Sequence, residues 1–161
     1  MIVQEHITAF NEDDRERFKE TLTRDAIMAF RAVDRVCRGV DDIAAAFWAL
    51  RENFIDLHLQ VTNAFSAGSH ASVEVVRSAN SALNGVRVTV PECMVYSIRQ
   101  DKIATISYYT DRMTELVQLG AIADLQAPTL PREPVLLHPH DATPKPSRFP
   151  HSLRSALGRG N

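Results

Sequence analysis

Residues 96–122 constrain the fold more than any other part of the chain. Arg99-Gln100-Asp101-Lys102 is a polar turn between two β-prone runs. Tyr96 and Ile98 precede it, and Ile103, Ile106, Tyr108 and Tyr109 follow with the branched and aromatic side chains that suit a strand. Asp111 stands where a helix N-cap belongs, because its carboxylate can accept the free N–H groups of a first helical turn. Leu116 and Leu119 can then point inward, and Gly120 supplies a left-handed stop. The segment therefore predicts a β-hairpin whose second strand runs directly into a short helix.

The chain leading to this hairpin reads as helix first and strand afterwards. Val3, Ile7 and Phe10 recur at helical spacing, Asn11 to Asp14 interrupt, and Phe18 with Leu22 continue the stripe in a second short helix. From Asp41 or Asp42 as N-cap, Ile43, Phe47, Leu50 and Phe54 fall at steps of four, three and four, on one helix face. Between Leu57 and Ile106 the pattern shifts toward period two, with turns at Ser66-Ala67-Gly68-Ser69 and Asn84-Gly85. A chain of 161 residues with 45% hydrophobic content builds one core and hardly two.

After Asp124 the composition changes, since seven of the eight prolines lie between Pro128 and Pro150. Such a segment cannot continue a helix or enter a sheet interior. Residues 1–123 are therefore expected to form the domain and 124–161 a proline-rich C-terminal tail, extended or acting as an arm anchored by Val135-Leu136-Leu137 and Phe149. His138-Pro139-His140-Asp141 offers poor preorganisation for a metal.

Composition also excludes several functions. A net charge of -2 sets up no field for nucleic acid, and no apolar run approaches the roughly 20 residues that span a bilayer. Gln4, Glu5 and His6 break the apolar residues near Met1, so a cytoplasmic location is expected. Cys37 and Cys93 are too few and too far apart for a disulfide framework or a metal cluster. There is no Gly-rich phosphate loop, nucleophile elbow or metal-ligand pair, so no cofactor and no metal is expected.

The order of these parts resembles the SnoaL-like polyketide cyclases of the nuclear transport factor 2-like superfamily. Lys102-Ile103, Asp111 and Gln118-Leu119-Gly120 match that family, with Gln100-Asp101 in place of its Asp-Gly turn. Upstream, Arg38-Gly39-Val40-Asp41-Asp42-Ile43, Phe54-Ile55-Asp56-Leu57, Ser66-Ala67-Gly68 and Val73-Glu74 extend the resemblance over residues 1–123. It implies an α+β fold: a curved antiparallel sheet wrapped by N-terminal helices into a cone with an apolar internal pocket, a cystatin-like α+β barrel. It also implies a homodimer and a small hydrophobic ligand of polyketide, terpenoid or steroid type.

In the related limonene epoxide hydrolases, an aspartate serving as acid or base lies five residues after the isoleucine that opens the last strand. Counting from Ile103, that position is Tyr108, whose phenol, with a pKa of about 10, donates rather than abstracts a proton at neutral pH. Those enzymes also carry an arginine and, two residues on, an aspartate; here Arg77 matches and Ala79 does not. Arg77 is either an inward charge for a carboxylate, enolate or phenolate, or an ordinary surface or dimer-interface charge.

His58 is read as a general base or a partly exposed structural residue, and Asp111 as a helix cap or a catalytic residue. Trp48, Glu74, Tyr96 and Ile106 complete the candidate pocket, as wall, interface or core residues. Three functions stand beside each other: a cofactor-independent cyclase, isomerase or epoxide-opening enzyme, a non-catalytic binding or dimerisation domain, and a scaffold whose proline-rich tail engages a partner. Loss of both expected aspartates favours the second.

Overall fold

The structure, a computed structural model, describes residues 2–122. The proline-rich segment expected at 124–161, with its histidine pair, lies outside the described residues. The elements run α1 (Ile2–Asn11), α2 (Arg15–Glu20), β1 (Leu22–Phe30), β2 (Arg35–Arg38), α3 (Val40–Asn53), β3 (Phe54–Ala67), β4 (His70–Ser81), β5 (Arg87–Arg99), β6 (Lys102–Thr110) and α4 (Arg112–Gln118). The strands form one curved, unclosed sheet of order β2-β1-β6-β5-β4-β3, with the helices around it, in the expected α+β cone. All neighbours are antiparallel except β1 and β6, which run parallel.

Alternation along the strands puts the core on one face of the sheet. Val73, Val75, Arg77 and Ala79 of β4, Val88, Val90, Glu92, Met94 and Tyr96 of β5, and Ile106 and Tyr108 of β6 are buried. Helices α1 to α3 cover that face with Val3, Ile7, Phe10, Phe18, Ile43 and Phe47. No helix among the described residues is long and apolar enough to cross a membrane.

Several local expectations hold and several change. The turn after Arg99 is a two-residue hairpin in which Gln100 and Asp101 both adopt positive φ, 52° and 59°. Asp111 accepts from the Thr114 N–H at 3.0 Å, and the helix it caps ends at Gly120 with φ 72°. There the Ala121 N–H donates to the Leu116 carbonyl and the Gly120 N–H to that of Val117, the two bonds of a glycine-closed helix end.

Leu22, expected in a helix, instead opens β1. Thr21 closes α2, its carbonyl accepts from the Ile103 N–H at 2.8 Å, and a register shift between Leu22 and Ile27 hides the period-two signal. The N-cap of α3 is Gly39, not Asp41 or Asp42: its φ of 86° suits glycine, and its N–H reaches the Ala26 carbonyl at 2.7 Å. Phe54, expected at the end of that helix, adopts extended geometry and starts β3.

His6 sits in the core without having been singled out. Its ring stacks on Phe18 at 4.0 Å, and its Nδ1 lies 2.6 Å from the Thr21 hydroxyl. That hydroxyl donates its single proton to the Phe18 carbonyl at 2.6 Å, so His6 Nδ1–H is the donor and Nε2 an acceptor without a partner. Burial pushes the imidazole pKa down to about 3.

Between pH 6.5 and 3 the unfolded chain therefore takes up a proton at His6 that the native protein refuses, and stability falls as pH falls. In urea titrations across this window, His6→Phe should lose less stability on acidification than wild type. The difference should approach about 1.4 kcal/mol per pH unit at its steepest.

Candidate active site

A cavity of ≈ 250 Å³ opens between the inner face of the sheet and α3. Met28 and Phe30 of β1, Ala32 and Val33 of the following turn, and Ala46, Phe47, Ala49 and Leu50 of α3 form its apolar wall. The ring of Tyr108 meets those of Phe30 and Phe47 edge-on, at 5.5 and 6.5 Å between centroids. Tyr108, Thr110, Arg77 and Glu115 supply a polar end, and the amide of Asn53 turns back onto the Ala49 carbonyl.

Strand parity brings that polar end together. Arg77 pairs with Val90 across β4 and β5, so Glu92, two residues on and inward by the same alternation, is its diagonal neighbour. Arg77 Nε donates to Glu92 Oε1 at 2.7 Å and Nη2 to Glu115 Oε2 at 3.0 Å. Thr110, directly opposite Glu92 in register, donates its hydroxyl to the same Oε1 at 3.1 Å. Arg112 reaches Glu115 from the rim at 2.9 Å. Arg77 Nη1 and Glu92 Oε2 have no partner.

Burial opposes the charge of Arg77, but Glu92, with lesser help from Glu115, outweighs it and raises the guanidinium above its ordinary pKa. Burial, and then the charge of Glu92, push the Tyr108 phenol well above the ordinary tyrosine value. Tyr108 is thus a neutral hydrogen-bond donor throughout the physiological range.

Of the residues singled out in the sequence, the cavity takes Tyr108 and Arg77. The reading of Arg77 as a surface charge is corrected, since it is 1% exposed. His58 is also corrected as a base for this cavity: it lies exposed between the buried Leu57 and Leu59, so alternation turns it away. Asp111 is exposed and its carboxylate is committed to the Thr114 N–H and hydroxyl, which hold its pKa down.

Glu74 likewise falls on the outer face of β4. Trp48 donates to Asp13 at 2.9 Å and packs against Phe10 and Phe18, away from the cavity. Tyr96 is buried with its hydroxyl donating to Met94 Sδ at 3.1 Å, and Ile106 is core beneath the wall. Glu92, Glu115 and Thr110 were missed. The signal for Glu92 was present, because a carboxylate at inward parity between Val90 and Met94 needs a buried partner.

A family model described as SnoaL-like domain matches residues 3–106. Among solved structures, a protein with a ketosteroid isomerase-like fold from Catenulispora acidiphila, in complex with trimethylamine, superposes with a TM-score of 0.70. It is 20% identical, over 78% of this chain and 97% of that one. A protein of Shewanella denitrificans assigned as a SnoaL-like polyketide cyclase gives 0.68 at 14% identity, over 75% and 96%. IdmH of Streptomyces antibioticus, assigned as a polyketide cyclase, gives 0.68 at 17% identity, over 74% and 96%. At these identities the structures establish the fold. No curated protein matches the sequence.

Because Arg77 compensates two buried carboxylates, Arg77→Met should destabilise the domain by about 3–5 kcal/mol in urea unfolding. Arg77→Met/Glu92→Leu should recover part of that loss, since it removes an unpaired buried charge along with its partner.

Proposed function

The chain belongs to the SnoaL-like domain family, and from that premise we propose that residues 1–123 act as a cofactor-independent enzyme on a small hydrophobic molecule of polyketide, terpenoid or steroid type. The observation that carries this reading is a cavity apolar on every side but one, where a neutral buried phenol stands beside a charged cluster. Tyr108 donates a hydrogen bond to a carbonyl or epoxide oxygen, stabilising negative charge as it develops there during cyclisation, isomerisation or epoxide opening. Glu115, the carboxylate in the cavity wall, is the proton acceptor.

One observation favours the alternative, a non-catalytic binding domain. Glu115 Oε2 is already held by two arginines, Arg77 at 3.0 Å and Arg112 at 2.9 Å, so that oxygen is committed to ion pairs within the protein. The homodimer belongs to the proposal too. Val95 and Tyr109, 39% and 46% exposed on the outer face of neighbouring strands, offer a second copy an apolar surface.

A thermal-shift and turnover screen with aromatic polyketides, terpenoid epoxides and steroids, run on wild type and Tyr108→Phe, tests the enzyme reading. A compound converted by wild type should lose about 100-fold or more in kcat with Tyr108→Phe while KM changes little. Equal stabilisation of both proteins with no conversion would establish the binding domain instead. Sedimentation should show a dimer that Val95→Lys/Tyr109→Glu converts to monomer.

A further inference from the structure

We propose that the ligand site continues past the first cavity into a second hollow, between α3 and β2, which receives the distal part of an elongated ligand; the inference rests on the small-molecule reading above. The first cavity by itself is small for a polyketide, terpenoid or steroid body. At ≈ 250 Å³ it falls below the roughly 300–1,000 Å³ of pockets that enclose drug-sized ligands.

The second hollow measures ≈ 500 Å³. Phe30, Val33, Ala46 and Ala49 line both, so the two adjoin along those four side chains. Helical spacing accounts for the shared edge. Ala46, Ala49, Leu50 and Asn53 border the first cavity, while Asp42, Ala45, Ala46 and Ala49 border the second. Each set falls at i, i+3, i+4 and i+7, so they are neighbouring stripes of α3 that overlap at two alanines.

The helix therefore brings only methyl groups to the boundary. Opposite them stand Phe30, at the end of β1, and Val33, on the turn that follows. Val33 is 59% exposed, and its N–H reaches the Phe30 carbonyl only at 3.4 Å. One jaw of the boundary is thus a side chain on a surface turn, which can swing aside without disturbing the core.

The far end of the second hollow sets the chemistry of what it takes. Cys37 gives it a buried floor, where burial raises the thiol pKa and keeps the sulfur uncharged. Arg35 and Asp42 stand exposed beside it and offer a donor and an acceptor. The fitting ligand is an extended apolar body with one oxygen function at Tyr108 and a second, a ketone or hydroxyl, at its far end.

The test compares 1-tetralone, a two-ring ketone, with progesterone, a four-ring body that carries a ketone at each end and exceeds the first cavity. Ala45 lines only the second hollow and is exposed, so Ala45→Trp fills that hollow while leaving the core untouched. Titration calorimetry on the full chain should show Ala45→Trp weakening progesterone by about tenfold or more and 1-tetralone by less than about twofold. Ala45→Ser, which leaves the hollow open, should bind both as wild type does.

Unchanged progesterone affinity in folded Ala45→Trp, equal weakening of both probes, or a wild type that binds 1-tetralone but not progesterone would overturn the inference and leave the small-molecule reading intact. Binding of neither probe to folded wild type would overturn that reading, and the inference with it.

Discussion

Arg77 ties together more of this domain than any other side chain. From β4 it holds Glu92 of β5 and Glu115 of α4, and Glu92 in turn accepts from Thr110 of β6. At that depth the guanidinium and the two carboxylates each offset the hydration the other has lost. Helix α4 depends on the same contact: seven residues are too few to be helical alone. It is fixed by Glu115, by the Asp111 cap, and by Gln118, whose amide bonds both the N–H and the carbonyl of Thr89.

The apolar part of the cavity is built on a different principle, that of shape. α3 presents the small residues Ala46 and Ala49 beside Phe47 and Leu50, so the helix leaves a hollow against β1 and β6 instead of filling it. Tyr108 belongs to both regions. Its ring stands with Phe30 and Phe47, and its hydroxyl belongs with Glu92; burial first, and then that charge, keep the proton on it.

Most of the architecture was legible because it is written in local chemistry. The Gln100-Asp101 turn, the Asp111 cap and the Gly120 stop each depend on a few neighbouring residues, and each lies where the sequence places it. The alternation that puts Arg77 on one face with Val73, Val75 and Ala79 was equally readable, but which face turns inward was not settled by it, and its partners were not visible. A diagonal pair between strands requires the register of β4 and β5, and Glu115 requires knowing where α4 docks. β1 escaped notice for another reason, since its register shift breaks the two-residue period on which recognition depends. His58 and Glu74 fall at positions that alternation turns outward, His58 between Leu57 and Leu59 and Glu74 between Val73 and Val75.

The parallel pairing of β1 with β6 joins Leu22–Phe30 to Lys102–Thr110, the first long strand to the last. Hairpins between neighbouring strands can close early, whereas this contact must enclose the whole intervening chain and bears the entropy of that large loop. Met28 and Phe30 meet Tyr108 and Thr110 only once it has formed. During synthesis, then, the hollow comes into existence after the last strand has left the ribosome. Until that moment the apolar faces of β1 and α3 lack the strand that completes their cover, and on the nascent chain they are more exposed to aggregation than in the finished domain.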